Sequence, residues 1–337
     1  MIGARVGIYG SGSAFIGILD TYPSLAGWSL RLLKSDYSGG LIYAHAYDGS
    51  SHGKADIMPY RSGANYILDL NSTLENLDAT ALGRGLTTSD TLADLLDVGG
   101  SNYNGLTQKI YDQAGSSYDY EQGTTAAQPL FSTAGALDTK GGKPCITISK
   151  TQYLSVPSST ATFKFFHDGT ACSYVAINSF GTGSNPDDVY ALFGNNTNSL
   201  GDIGYYMRFD DRSAFSRNNR LADYIPNSSG VASCNTEVDN SITPNQNNIM
   251  FANIDADNGT AANRAMYYIN NGSVIQNNTQ AGTASTANAS HDLYLGRLPT
   301  GGFPMVGTFA EKILWNTDKS GDRSGIQTNV NDFYSAF

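Results

Sequence analysis

Between Cys145 and Trp315 the chain returns to a short apolar, β-branched or aromatic run about every 10 to 20 positions, with no helical pattern in between. The runs are Cys145-Ile-Thr-Ile-Ser, Ser173-Tyr-Val-Ala-Ile, Val189-Tyr-Ala-Leu-Phe and Tyr205-Tyr-Met-Arg-Phe. Ile249-Met-Phe-Ala-Asn-Ile, Arg264-Ala-Met-Tyr-Tyr-Ile, Asp292-Leu-Tyr-Leu-Gly and Val306 to Trp315 continue them. Asp257-Asn-Gly and Asn270-Asn-Gly supply turn chemistry on either side of the Arg264 run. Parallel strands need long crossovers, usually helical, so strands joined by turns and polar loops pair antiparallel. The chain is therefore expected to be all-β: an antiparallel β-sandwich or jelly roll with a few short accessory helices.

Helices are expected at three places. Leu25, Trp28, Leu32 and Leu33 fall on helical spacing within 25–34. Thr88 or Ser89 would cap a helix over 89–98 that stops at Gly99-Gly100. Ile326, Val330, Phe333 and Phe337 form one apolar stripe of a helix over 322–337. Leu41 to Tyr47 and Gln108 to Asp112 read as strands, with a turn at Asp48-Gly49. No repeat or linker interrupts 24–337, which reads as one domain. Residues 1–23 read as an N-terminal extension, rich in apolar residues around Gly10-Ser-Gly-Ser, that would pair with its own sandwich or dock on a second copy or a larger assembly.

Charge narrows the function. Charged residues make up 15% of the chain, against about 25% for an average soluble protein. The net charge is −10, which argues against an extended phosphate-binding surface and so against a nucleic-acid partner. Residues 201–300 hold 16 Asn and no Lys, the mark of long polar loops. No run approaches the roughly 20 apolar residues that span a bilayer, so membrane insertion is not expected. The first residues lack a small-residue cleavage site, and no signal peptide is expected. Cys145, Cys172 and Cys234 are few, odd in number and widely spaced, as core thiols of a protein made in a reducing cytoplasm are.

Three stretches carry a resemblance. They are Ala26-Gly-Trp-Ser-Leu-Arg-Leu-Leu-Lys-Ser-Asp-Tyr-Ser-Gly, then Ile110-Tyr-Asp-Gln-Ala-Gly with Gln128-Pro129 and Gly142-Lys143-Pro144, and the ending from Val306 to Trp315 and Gly325 to Tyr334. In this order they resemble bacteriophage virion proteins with a laminin-G or concanavalin-A-like sandwich, with Ala114 where that family places serine. The front half is also similar to the catalytic sandwich of arabinofuranosidase B-type enzymes. That likeness covers scaffold residues, and no catalytic residue is carried over from it.

The resemblance implies a non-enzymatic virion structural protein, carried on the particle as a tail-fibre or baseplate receptor-binding protein or as capsid decoration, with glycan adhesion for host attachment. The implied partners are other virion proteins, further copies of the chain (a homo-oligomer such as a trimer) and a host surface glycan. The alternative is a glycan-cleaving hydrolase on the same scaffold.

Candidate side chains were weighed for each role. Glycan contact is assigned to Tyr205, Tyr224 and Tyr268, whose rings lie among Asn-rich loops and would stack on sugars. Glycoside hydrolysis needs two carboxylates across one sugar. The candidates are Asp119 with Glu121, the pair Asp210-Asp211, and Glu237 with Asp239, in a chain poor in Glu. His45, Asp48, His52 and Asp56 have a metal-like spacing, but a strand-turn-strand would scatter them. Asp255-Ala-Asp-Asn-Gly259 has Met266 where an EF-hand places its last ligand, and reads as a turn. No cofactor is expected, and Asp187 and Asp188 are the calcium candidates.

Overall fold

The computed structural model describes residues 15–181, 189–199, 201–212, 219–226, 232–280 and 282–337. The strands that build its sandwich are β1 (Ala26–Ser29), β2 (Ile42–Tyr47), β3 (Ser51–Ile57), β4 (Leu74–Glu75), β5 (Asn104–Ile110), β6 (Tyr120–Glu121), β7 (Leu130–Thr133), β8 (Ile146–Ile148) and β9 (Leu154–Val156). They continue with β10 (Cys172–Phe180), β11 (Val189–Gly194), β12 (Tyr206–Asp210), β13 (Arg220–Pro226), β14 (Glu237–Val238), β15 (Asn248–Ile254), β16 (Ala265–Ile269), β17 (Leu293–Leu295) and β18 (Gly307–Trp315).

Every pairing among these strands is antiparallel. Sheet I runs β1-β18-β10-β15-β16. Sheet II runs β4-β3-β2-β5-β6-β9-β17-β11-β12-β13-β14. The two sheets are joined at one side, where β8 pairs with the first half of β18 and β7 bridges β8 to β5. The expected all-β sandwich is the fold.

The core lies between the sheets because side chains alternate along each strand. Sheet II contributes Ile42, Ile57, Ile110, Leu154, Val156, Phe193, Met207 and Leu293, all buried. Sheet I answers with Trp28, Tyr174, Ala176, Met250, Ala252 and Leu314. Lys312 also points inward, its Nζ 3.6 Å from the centroid of Phe193 and without a hydrogen-bond partner, and burial pushes its ammonium well down. Cys145, Cys172 and Cys234 are buried and unbridged.

The other face of sheet I is sealed too. Its alternate residues Val175, Ile177, Ile249, Phe251, Ile313 and Trp315 pack under Ile326, Val330, Phe333 and Tyr334 of a C-terminal helix (Arg323–Tyr334), about where the apolar stripe predicts one. Each such side chain contributes about 1.5–3 kcal/mol on burial. Beneath the helix Arg31 meets Glu311 twice, Nε to Oε2 at 2.7 Å and Nη2 to Oε1 at 3.0 Å, and Ser29 Oγ donates to Glu311 Oε2 at 2.8 Å.

Two helix expectations need correction. Residues 25–34 hold β1, not a helix, and Ala26, Gly27, Trp28 and Ser29 are all buried. A strand covered on both faces loses its alternation, and the spacing of its apolar residues then imitates a helix. The second helix is shorter than expected, Leu92–Leu96, and its cap is Thr91, whose side chain and backbone exchange hydrogen bonds with Asp94.

Part of the N-terminal extension is placed against the sandwich itself. Ile18 and Leu19 are buried in the layer under the C-terminal helix, and Leu19 N donates to Leu33 O at 2.9 Å. Residues 1–14 lie outside the described residues.

Candidate functional site

Among the described residues the outer face of sheet II has no helix layer like that of sheet I. Directly paired residues of antiparallel strands project on the same side, so the register can be followed from strand to strand. Glu75 pairs with Asp56, Asp56 with Tyr43, Tyr43 with Lys109, Lys109 with Glu121 and Glu121 with Ser155. Ser155 pairs with Tyr294, Tyr294 with Gly194, Gly194 with Tyr206 and Tyr206 with Tyr224. These positions alternate with the core residues, so one line of polar and aromatic groups crosses ten strands on the face away from the core. At the usual strand spacing its contour is on the order of 40 Å.

Carboxylates gather at one end of the line. Lys109 Nζ reaches Glu121 Oε1 at 2.8 Å and Asp119 Oδ2 at 3.3 Å. Burial works to lower the Lys109 ammonium, but the two carboxylates outweigh it and the net shift is upward. The shared ammonium holds the two carboxylate oxygens no more than about 6 Å apart, a bound that excludes the roughly 6.5–9.5 Å spacing of an inverting pair and admits the roughly 5–5.5 Å of a retaining one. Next along, Asp56 accepts from the Tyr111 hydroxyl and from Asn76 Nδ2.

Aromatic groups occupy the middle and the far end. Tyr153 and Tyr294 stack with centroids 5.7 Å apart, and the Arg297 guanidinium lies 3.3 Å over Tyr153. Tyr206, Tyr224 and Phe303 form an apolar cluster separate from the core, with Leu298 and Ala191. Gly194 permits the close approach of the strands here, since a Cβ would sit 2.5 Å from the Cβ of Tyr206. Phe303 has φ +51°, a left-handed backbone that costs a non-glycine residue roughly 1–2 kcal/mol.

The three tyrosines assigned to glycan contact fall in three different environments. Tyr224 stands on this line, half-buried. Tyr205 is a correction: it is wholly buried, and its hydroxyl hydrogen-bonds those of Tyr174 and Tyr267 inside the core. Tyr206, its neighbour, takes the outward position. Tyr268 lies on the covered face of sheet I, with the Arg323 guanidinium 4.3 Å over its ring.

Of the carboxylates, Asp119 and Glu121 come together on the line. Glu237 and Asp239 are tied instead to arginines: Arg220 reaches Glu237 at 2.5 Å and Asp239 at 2.8 Å, and Arg208 reaches Glu237 at 3.2 Å. Arg212 clamps Asp210 at 2.8 Å, and Asp211 accepts from Asn219 N.

The histidine and aspartate series does not converge. His45 is buried between Gln128 and Ser51, whereas His52 contacts Asp48 at 2.7 Å and stacks on Tyr103. Asp187 and Asp188 lie outside the described residues. Lys109, Tyr153, Tyr294 and Arg297 were not foreseen as site residues. Alternation in Tyr153-Leu154-Ser155 and Leu293-Tyr294-Leu295 was their signal.

The stretches behind the virion resemblance map onto scaffold. Asp112 Oδ1 accepts from Gly27 N at 2.8 Å and Ala114 N at 3.0 Å, and its Oδ2 from Ser116 N at 3.1 Å and Tyr118 N at 3.3 Å. Gln113 accepts from Leu33 N and donates to the carbonyls of Ser29 and Arg31. Together they staple the β1 segment to the turn after β5.

No protein-family model matches the chain, and no curated protein does. Solved structures do. A family-54 α-L-arabinofuranosidase mutant soaked with 4-nitrophenyl α-L-arabinofuranoside matches with TM-score 0.55 and 17% identity, covering 94% of this chain and 65% of that one. An arabinofuranosidase complexed with arabinofuranosyl-α-1,2-xylobiose matches with TM-score 0.51 and 15% identity, covering 94% and 64%. The likeness is one of fold. A NanB sialidase from Streptococcus pneumoniae matches over 53% of this chain and 26% of its own, with TM-score 0.40 and 13% identity. The chain thus spans a little under two thirds of the arabinofuranosidases and about a quarter of the sialidase. The expectation of a non-enzymatic protein is corrected by this finding, because solved proteins that match over 94% of the chain include arabinofuranosidases.

Proposed function

We propose that the protein is a carbohydrate-active enzyme, a glycoside hydrolase that holds a glycan along the open face of sheet II. The observation that carries the reading is the in-register line from Glu75 to Tyr224, which sets aromatic rings and carboxylates on the open face of the sandwich. Aromatic faces bind sugar rings, and polar groups beside them hold the hydroxyls. Cleavage is assigned to Asp119 and Glu121, whose oxygens share Lys109. Hydrolysis by such a pair uses one carboxyl to protonate the leaving oxygen and the other to attack the anomeric carbon or activate water. Arabinofuranosides head the substrates to test, because two of the solved proteins that match are arabinofuranosidases.

The test is release of reducing ends from arabinan, arabinoxylan and bacterial surface polysaccharide. Turnover by the parent chain, reduced about 10²-fold or more in Glu121→Gln and in Asp119→Asn, is the expected result. No turnover on any of these glycans, or turnover that survives both substitutions, sinks the assignment.

Carriage of the domain on a virion is a separate proposal, supported by the resemblance of the three scaffold stretches. Mass spectrometry of purified particles tests it, and absence of the chain from them refutes it.

A further inference from the structure

One group on the open face is not used by hydrolysis. Arg297 follows β17, directly beyond the line residue Tyr294. Its guanidinium carbon lies 3.3 Å from the centroid of Tyr153 and 5.7 Å from that of Tyr294, while the two rings stack at 17° to each other. The other arginines of this end of the face are engaged by carboxylates: Arg208 by Glu237, Arg212 by Asp210, Arg220 by Glu237 and Asp239. Among the described residues Arg297 forms no ion pair; it hydrogen-bonds the Tyr294 side chain, and its Nε is buried without a partner.

A guanidinium spread on an aromatic ring keeps its N–H edge for an acceptor, and its fork matches the two oxygens of a carboxylate or phosphate. The stack with Tyr153 holds that fork in place beforehand, which lowers the ordering cost of binding. The position is informative as well. Tyr294 pairs with Ser155 on one side and Gly194 on the other, so Arg297 stands midway between the Lys109 carboxylates and the Tyr206 cluster. A glycan crossing the face would pass it.

Resting on the glycan reading of this face, we infer that Arg297 receives an anionic substituent of the bound glycan. The substrate class is then an acidic polysaccharide, bearing uronate carboxylates or phosphates. The net charge of −10 gives no long-range attraction to such a polymer, so the preference for it rests on this local contact.

Calorimetric titration of the full chain tests the inference, using oligogalacturonate, a phosphorylated mannan oligosaccharide and neutral arabinan oligosaccharides of equal length. The parent should bind one acidic ligand at least about tenfold more tightly than the neutral one. The acidic ligand that wins tells carboxylate from phosphate. R297Q should erase that preference, its loss falling on the acidic ligand far more than on the neutral one, and R297K should restore only part of it, because an ammonium lacks the planar fork. Near-UV circular dichroism identifies a variant that fails to fold, in which case R297K alone carries the comparison. Equal binding of acidic and neutral ligands by the parent overturns the inference and leaves the glycan reading intact. A loss in R297Q that is the same for both ligands overturns it too. Absence of binding to any of the three overturns both readings.

Discussion

The two outer faces of this sandwich are built alike and finished differently. Sheet I buries its outward residues, Val175, Ile177, Ile249, Phe251 and Ile313, under the C-terminal helix. It also encloses the Arg31–Glu311 pair there. Sheet II turns outward Tyr43, Lys109, Glu121, Ser155, Tyr294 and Tyr224, and all of them stay half-exposed. Both faces contain charge and aromatic rings. They differ in whether the charges have spent their hydrogen-bonding capacity inside the protein. On the sealed face Glu311 is satisfied by Arg31, Ser29 and Tyr334, which leaves nothing for a ligand. On the open face Glu121 and Arg297 keep capacity that only a ligand or water can use.

The contrast can be broken most forcefully at the sealed face. Glu311→Ala strands a buried guanidinium and should cost about 3–5 kcal/mol, read from the midpoint of urea unfolding. A loss under about 1 kcal/mol would mean that this face is wetter than its packing implies.

A second substitution probes the core beneath the open face. Asp223 is wholly buried, accepts from Tyr267 and Thr236 N, and burial pushes its carboxyl up to about 6. A raised carboxyl holds its proton more tightly folded than unfolded. Its stabilising contribution is therefore complete below about pH 4 and lost as the pH rises through 6. Relative to the parent, Asp223→Asn should gain about 2–3 kcal/mol between pH 4 and pH 7. Parallel stability curves for the two proteins would contradict this.

Gly194→Ala tests the crowding within the line itself. A Cβ meeting Tyr206 at 2.5 Å should cost about 1–3 kcal/mol and disturb the Tyr206–Tyr224–Phe303 cluster, seen as a change in near-UV circular dichroism. The smallest effect belongs to Glu121→Gln. Its side chain is 44% exposed and Lys109 keeps Asp119, so stability should change by less than about 0.5 kcal/mol. A larger loss would make Glu121 a structural residue and weaken its assignment to chemistry.

The sequence by itself determined the class of fold and much of its strand list. Turn residues and alternation are local properties, and the runs from Cys145 to Trp315 show both. Ile326, Val330 and Phe333 likewise placed the C-terminal helix, because one covered face imposes its own period, whereas Phe337 lies beyond the helix end and is exposed. The same logic failed at Leu25 to Leu33, where cover on both sides of β1 removed the alternation. It also passed over β9 and β13, whose runs are short or mixed with polar residues.

The site was decided by tertiary structure. Asp119 and Glu121 were legible as a pair, since they are two apart in the chain. Tyr205 and Tyr206 show how little composition could decide. Neighbours in sequence, they point to opposite sides of one strand's path, and only the register with β11 and β13 says which faces outward. Arg297 became a candidate only because Tyr153, 144 positions earlier in the chain, lies beneath it. Period and turn chemistry act over a few residues, so one chain can state them. Which strands lie side by side depends on loops that close over long separations, and no local pattern records that choice.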